Sequence, residues 1–133
     1  MTSLKIGELA EQTGCLVETV RYYERIGLLP APVRMANNYR AYSDEHTDRL
    51  LFIRHCRALD MSIDEIRELV DIRSQPDSNC LGVNQLLDRH IGQVRQRIEA
   101  LRALELQLLH LRSCCDSARA SGDCGILHAL SDN

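Results

Sequence analysis

"KIGELAEQTGCLVETVRYYERIGLLP", residues 5–30, decides how the first part of the chain folds. Ile6, Leu9 and Ala10 recur at the spacing of one helical face. Gly14 comes four residues after Ala10, where a tight turn between helices needs backbone freedom. Val17, Val20 and Tyr23 give a second helix its inward stripe and leave Thr19, Arg21, Tyr22 and Arg25 on other faces. Gly27 ends that helix and Pro30 prevents its resumption. Two short helices joined in this way read as a helix-turn-helix, whose second helix can enter a DNA major groove.

The next stretch, residues 28–42, contains Pro30, Pro32 and the pair Asn37-Asn38. Asparagine tolerates positive φ, so the pair predicts a hairpin tip between two short strands, a wing with Tyr39, Arg40 and Tyr42 on or beside its second strand. Ser43 caps a third helix running to about Leu59. "SIDE", residues 62–65, is a capping box that opens a fourth helix ending near Ser74. Pro76 lies in a polar hinge, "SQPDSN".

From Val83 to about Arg112 no proline or turn signal interrupts the chain. Leu87, Ile91, Val94, Ile98, Leu101, Leu108 and Leu111 follow alternating steps of four and three, with a lapse at Glu105 beside Leu104. This is a heptad seam on one long helix. A helix of about 30 residues spans about 45 Å. No other segment is long enough to cover it, so a second copy of the chain is the economical partner. Packing of the seam on the first four helices is the alternative.

Composition agrees with a helical reading. Apolar residues make up 44% of the 133 but aromatic ones only 4%, so aliphatic side chains must fill the core. No apolar run approaches the roughly 18–20 residues that span a bilayer, and "MTSLKIGELAEQTG" has no secretory apolar core, so the expected location is cytoplasmic, with no membrane partner. The net charge of −3 is unevenly spread. Residues 1–58 carry eight basic against seven acidic side chains, and residues 59–133 eight against twelve. Between Arg21 and Arg57 there are seven arginines and four acids, a balance that suits a polyanionic partner.

Three of the six cysteines fall in "SCCDSARASGDCG", residues 113–125. In reducing cytosol such a cluster points to metal binding or redox chemistry sooner than to structural disulfides. Cys80 lies just before the long helix. Cys115 follows its end, and Cys124 comes nine residues later. Cys80 and Cys115 of one chain are separated by about 50 Å of helical rise and cannot share an ion.

The segments "IGELA" (6–10), "ETVRYYERIGLLP" (18–30), "NYRAYS" (38–43) and "RLLFIRHCRALDMSIDEIREL" (49–69), with the long helix and the cysteine loop, make the chain resemble the MerR family of transcriptional regulators over nearly its whole length. Within that family it is most similar to the regulators of cadmium, lead and zinc resistance. The resemblance implies a mainly α fold. A winged helix-turn-helix DNA-binding lobe (residues 1–75) precedes a hinge and a long antiparallel coiled-coil dimerisation helix (76–113). A metal-binding loop with a short final helix (114–133) completes the chain. It implies a homodimer that binds double-stranded operator DNA, acts with RNA polymerase at the promoter, represses or activates by distorting that promoter, and controls metal-resistance or efflux genes. It implies no enzyme.

On this resemblance Arg21 and Tyr22 occupy recognition-helix contact positions with Thr19 as a neighbouring contact, and Tyr39 and Arg40 match the wing. Arg34 and Arg54 are further phosphate candidates. Arginine can fork two donors onto guanine or phosphate, and tyrosine adds a hydroxyl. Tyr23 and Phe52 read as core.

In an antiparallel dimer Cys80 of one chain lands beside Cys115 and Cys124 of the other. Three thiolates favour soft or borderline divalent ions, Cd(II) and Pb(II), with Zn(II) and Hg(II) as alternatives. Copper(I)- and silver-sensing relatives carry serine at the position of Cys80, which argues against a monovalent ion. Mercury sensors share the spacing, while "CGILHAL" (124–130) is more like the lead, cadmium and zinc group. Cys114 is a further candidate ligand. Zinc-responsive relatives pair adjacent cysteines with a loop histidine, but Arg119 stands at that position here. Asp116, Asp123, His90, His110 and His128 are weaker candidates, and Cys15 and Cys56 read as small buried apolar residues. A thiol redox sensor is the remaining reading of the loop.

Overall fold

The computed structural model describes residues 3–37, 39–118 and 120–132. The order of elements is α1 (Ile6–Thr13), α2 (Val17–Arg25), β1 (Val33–Arg34), β2 (Arg40–Ala41), α3 (Asp44–Ala58), α4 (Ile63–Arg73), α5 (Leu81–Arg112) and α6 (Gly125–Ser131), with a 3-10 turn at Ser121–Asp123. The chain divides into two compact units, Met1–Val83 and Asn84–Asn133. No described helix is long and apolar enough to cross a membrane.

In the first unit α1 and α2 are joined by the turn the glycine predicts. Gly14 has φ 69°, and a Cβ placed on it would lie 2.6 Å from Arg54 Nη1. The left-handed backbone strains any other residue there, and the Arg54 guanidinium would have to shift to make room for a side chain. Gly27, φ 78°, turns the chain out of α2. The buried Thr13 hydroxyl donates to the Leu9 carbonyl at 2.8 Å, so the end of α1 loses no hydrogen bond when it enters the core.

Two apolar clusters hold this unit. Leu4, Leu9, Ala10, Val20, Leu29, Tyr42 and Leu50 form one, and Leu28, Ile53, Cys56, Met61 and Ile66 the other. Tyr23 is half-buried against both, as its position on the inward stripe of α2 requires. Burial pushes the Tyr23 phenol and the Cys56 thiol up. Phe52 packs against the second cluster under the Arg73 guanidinium, 4.6 Å from the ring centre.

The helix caps follow the sequence closely. At α4 the Glu65 amide donates to Ser62 Oγ at 3.1 Å and the Ser62 amide to Glu65 Oε1 at 2.9 Å. At α3 His46 stands in for the usual acid. Its Nδ1 accepts from the Ser43 amide at 3.1 Å, and its Nε2 meets the Pro30 carbonyl at 3.0 Å. A carbonyl only accepts, so Nε2 carries the proton. The buried ring thus joins the start of α3 to the end of the loop after α2.

The wing is a two-stranded antiparallel ribbon with Val33 opposite Ala41 and Arg34 opposite Arg40. Tyr42 extends it by a bridge to Leu4. At the tip Met35 donates to the Tyr39 carbonyl at 2.8 Å, and Asn37 Oδ1 accepts from the Tyr39 amide at 3.3 Å. Asn37 sits where the hairpin expectation places it. Asn38 lies outside the described residues, as do Arg119 and both chain termini.

In the second unit α5 is the dominant element; the whole helix has 32 residues, two more at its start than the sequence predicts. Leu86 and His90 are buried, but the apolar positions from Ile91 to Leu109 are exposed, and Leu111 is half-buried. Ile91, Val94, Ile98, Leu101, Leu104 and Leu108 all show more than a third of their surface.

Candidate nucleic-acid face and thiol loop

Arginines from three elements of the first unit converge. Arg21 and Arg25 of α2, Arg34 of β1 and Arg40 of β2 line one cleft of about 560 Å³, with Ile6, Ala31, Pro32 and Glu24. Four guanidinium groups against one carboxylate leave a surplus of three positive charges in that concavity. The helix supplies Arg21 and Arg25 one turn apart, and the ribbon register sets Arg34 opposite Arg40.

Glu24 organises the cleft. It receives Arg40 Nη1 at 3.5 Å and the Tyr42 hydroxyl on its other oxygen. Burial, with the Glu24 carboxylate beside it, pushes the Tyr42 phenol up to about 12, so it remains a donor. The buried Tyr42 ring thereby anchors Glu24, and Glu24 holds Arg40 of the wing near α2. The Arg40 side chain is still nearly half exposed. Removing the Arg40 guanidinium (Arg40→Ala) is expected to weaken operator binding on every sequence and to lower the salt dependence by about one counterion. Fluorescence anisotropy over a salt series checks this; an unchanged slope would strike Arg40 from the phosphate contacts.

The remaining expected contacts have settings of their own. Thr19 and Tyr22 line a neighbouring hollow with Glu18, Tyr23, Arg57 and Ile63. Tyr22 stacks on Tyr23, with the Arg25 guanidinium 5.6 Å from the Tyr22 ring centre. Tyr39 is well exposed, with the Lys5 ammonium 5.8 Å from its ring centre. Arg54 has a different setting. Its Nη1 donates to the Thr13 carbonyl at 2.9 Å, bracing the turn below Gly14. Arg25, Lys5 and Glu24 were not among the expected site residues. The run "RYYER" carried the signal for Arg25 and Glu24, because residues at i and i+4, or i and i+3, share a helix face.

All six cysteines are thiols. Cys80, in the first unit, is exposed ahead of Leu81, whose amide donates to Asn79 Oδ1 at 3.0 Å. Cys114 and Cys115, in the second unit, continue the end of α5 in tightened turns. The two thiols are directed differently. Cys114 Sγ donates back to the His110 carbonyl at 3.6 Å and is exposed. Cys115 Sγ faces the Ser117 carbonyl at 3.3 Å and is half-buried, as is Cys124. Arg112 Nη1 donates to the Cys115 carbonyl at 2.5 Å, and His128 Nε2 meets the Gly122 carbonyl at 2.7 Å. That nitrogen of His128 is therefore directed to the loop backbone. Among the described residues no three His, Cys, Asp or Glu side chains lie close enough together to hold a metal ion. By donor chemistry Cys115 and Cys124 suit a soft ion but supply two thiolates, short of the three or four donors such an ion takes.

Two family models match the chain between residues 4 and 111: "MerR HTH family regulatory protein" matches residues 4–71 and "MerR, DNA binding" residues 47–111. A ZntR homolog of Haemophilus influenzae, an HTH-type transcriptional regulator, is 45% identical over 109 residues, 82% of this chain and 81% of its own. The mercuric resistance operon regulatory protein of Bacillus cereus is 34% identical over 126 residues, 95% of this chain and 96% of its own. The crystal structure of the transcription regulator PbrR691 of Ralstonia metallidurans, in complex with lead(II), superposes with a TM-score of 0.87 at 54% identity, covering 96% of this chain and 99% of that one. The helix-turn-helix, the wing and the long helix are thus shared with regulators rather than enzymes, and the chain belongs to the MerR family of helix-turn-helix transcriptional regulators.

Proposed function

We propose that this protein is a heavy-metal-responsive regulator that senses Cd(II) or Pb(II) through Cys80, Cys115 and Cys124, with the site completed across a homodimer. The observation that carries this is the division of the donors. Cys115 and Cys124 sit in one loop after α5, and the third thiol precedes the same helix. Thirty-two helical residues, about 48 Å of rise, lie between them in the chain. A partner running antiparallel brings its own Cys80 to each loop. The exposed seam of α5 supports such a partner, because a row of apolar side chains of this length is seldom left in water.

Operator DNA is read by α2 and the wing. Arg21, Arg34 and Arg40 take phosphates or guanine edges, Thr19, Tyr22 and Tyr39 supply hydroxyls, and Arg54 supports the turn with its other donors left to the backbone of the DNA. Metal capture clamps the thiol loop against the partner subunit and shifts the balance between two DNA shapes. Bending a site of this size costs on the order of 1–6 kcal/mol, within what soft-metal–thiolate binding can supply differentially. RNA polymerase at a metal-resistance or efflux promoter is the reader of that change.

A zinc-responsive reading is favoured by one observation, the adjacent Cys114 and Cys115, together with the 45% identity to a ZntR homolog. Mercury is supported by the 34% identical mercuric resistance regulator. Promoter output in a reporter strain, titrated with Cd, Pb, Zn and Hg salts, separates these. Cd(II) and Pb(II) are expected to induce at the lowest concentrations, and Cys115→Ser to remove the response while leaving metal-free operator binding intact. Induction by oxidant alone would favour the redox reading instead.

A further inference from the structure

Gly125 begins α6, and a Cβ placed there would overlap the Cys114 carbonyl oxygen and lie 3.1 Å from its carbon and 3.5 Å from the Cys114 Cβ. The obstacle is main chain, which cannot swing aside as a flexible side chain can. Its φ lies outside the left-handed region, so the constraint is the space alone. The backbone of residue 125 therefore rests on the backbone of residue 114. Cys115 and Cys124 are the residues immediately inside that contact.

We infer that Gly125 is a positioning residue for the thiol pair: the Gly125–Cys114 contact closes the neck of the loop and presents Cys115 and Cys124 together before any ion arrives. This rests on the metal-sensing reading proposed above and adds the element that presets its geometry. Local contacts brace each side of the neck. Arg112 holds the Cys115 carbonyl from α5, and His128 holds the Gly122 carbonyl from α6. The adjacent cysteines divide the work. Cys114 contributes its carbonyl at the neck while its thiol faces the last turn of α5, and Cys115 contributes its thiol to the loop. Preorganisation of this kind raises affinity because the donors need no ordering when the ion binds.

Two full-length variants test this: Gly125→Ala and Gly122→Ala. Gly122 has nothing within 4 Å of an added Cβ, so its substitution samples the same loop without the clash. The reduced proteins are titrated with Cd(II) against a competing chelator while the thiolate-to-metal charge-transfer band is recorded. Gly125→Ala is expected to lower Cd(II) affinity tenfold or more and to weaken the band per ion, with helical content and metal-free operator binding unchanged. Gly122→Ala is expected to stay within about twofold of the wild type. Wild-type affinity and band in Gly125→Ala overturn the inference, as does an equal loss in Gly122→Ala.

A second measurement does not involve metal. In a Cys80→Ser, Cys114→Ser background, glutathione disulfide oxidises the Cys115 and Cys124 thiols to one disulfide, releasing two glutathione thiols. A closed neck raises their effective concentration, so adding Gly125→Ala is expected to slow this closure severalfold. If the wild type shows no charge-transfer band, the metal reading fails by itself. The oxidation rate then judges the neck, and equal rates overturn it.

Discussion

A dimer assembled from one Cys80→Ser protomer and one Cys115→Ser, Cys124→Ser protomer is expected to bind one Cd(II) tightly, although neither parent homodimer does so. The first protomer keeps an intact loop, and the second keeps the Cys80 that completes it. The opposite site loses all three thiols. A site confined to one chain gives the other result, because each protomer then lacks part of its own set. Loss of one or two thiolates from a three-donor site is expected to weaken binding on the order of a hundredfold or more, close to 3 kcal/mol. The mixed species, purified through two affinity tags, should therefore recover about half of the wild-type charge-transfer amplitude at low Cd(II). No recovery would end the cross-subunit proposal.

The second large effect is expected from Ile98→Asp. Ile98 lies near the middle of α5 on the exposed seam, together with Ile91, Val94 and Leu101. In an antiparallel pair related by a two-fold axis, central positions approach their own copies. Each substitution removes a side chain whose burial stabilises by roughly 1.5–3 kcal/mol, and two carboxylates are then desolvated near each other. The combined change is about 5 kcal/mol per dimer, nearly four decades in dissociation constant. Analytical ultracentrifugation should find Ile98→Asp monomeric where the wild type is dimeric. Operator affinity falls with it, since one lobe alone contacts half a site. Gln96→Asp, on the opposite face of the same helix, is expected to leave the dimer intact. A dimeric Ile98→Asp protein would show that α5 is not the interface.

Much of the fold was legible because its signals are local. Residues three and four apart share a face, so the inward stripes of α1 and α2 and the seam of α5 could be read by counting. Gly14 and Gly27 announced left-handed turns, and "SIDE" announced the start of α4; each reports a constraint confined to a few neighbouring residues. Ser43 announced α3, but the side chain completing its cap belongs to a histidine, which the acid-based motif does not anticipate.

The candidate site was legible residue by residue but not as an arrangement. Arg21 and Arg40 could be singled out by family resemblance and Arg34 by charge, yet their meeting in one cleft with Arg25 depends on how the ribbon lies against α2. Arg54 was indistinguishable from them by type, and only its bond to the Thr13 carbonyl, 41 positions away, marks it as a brace.

By itself, then, the sequence determined the helices, the capping box of α4, the two glycine turns, the heptad seam and the presence of a thiol-rich loop, because each depends on spacing within a few turns of chain. Tertiary structure alone decided that Glu24 joins Tyr42 to Arg40, that Arg54 supports the helix-turn-helix turn, and that Gly125 lies against the Cys114 carbonyl. Those contacts pair residues 11 to 41 positions apart. They arise from the shape into which the local pieces pack, and no periodicity along the chain encodes them.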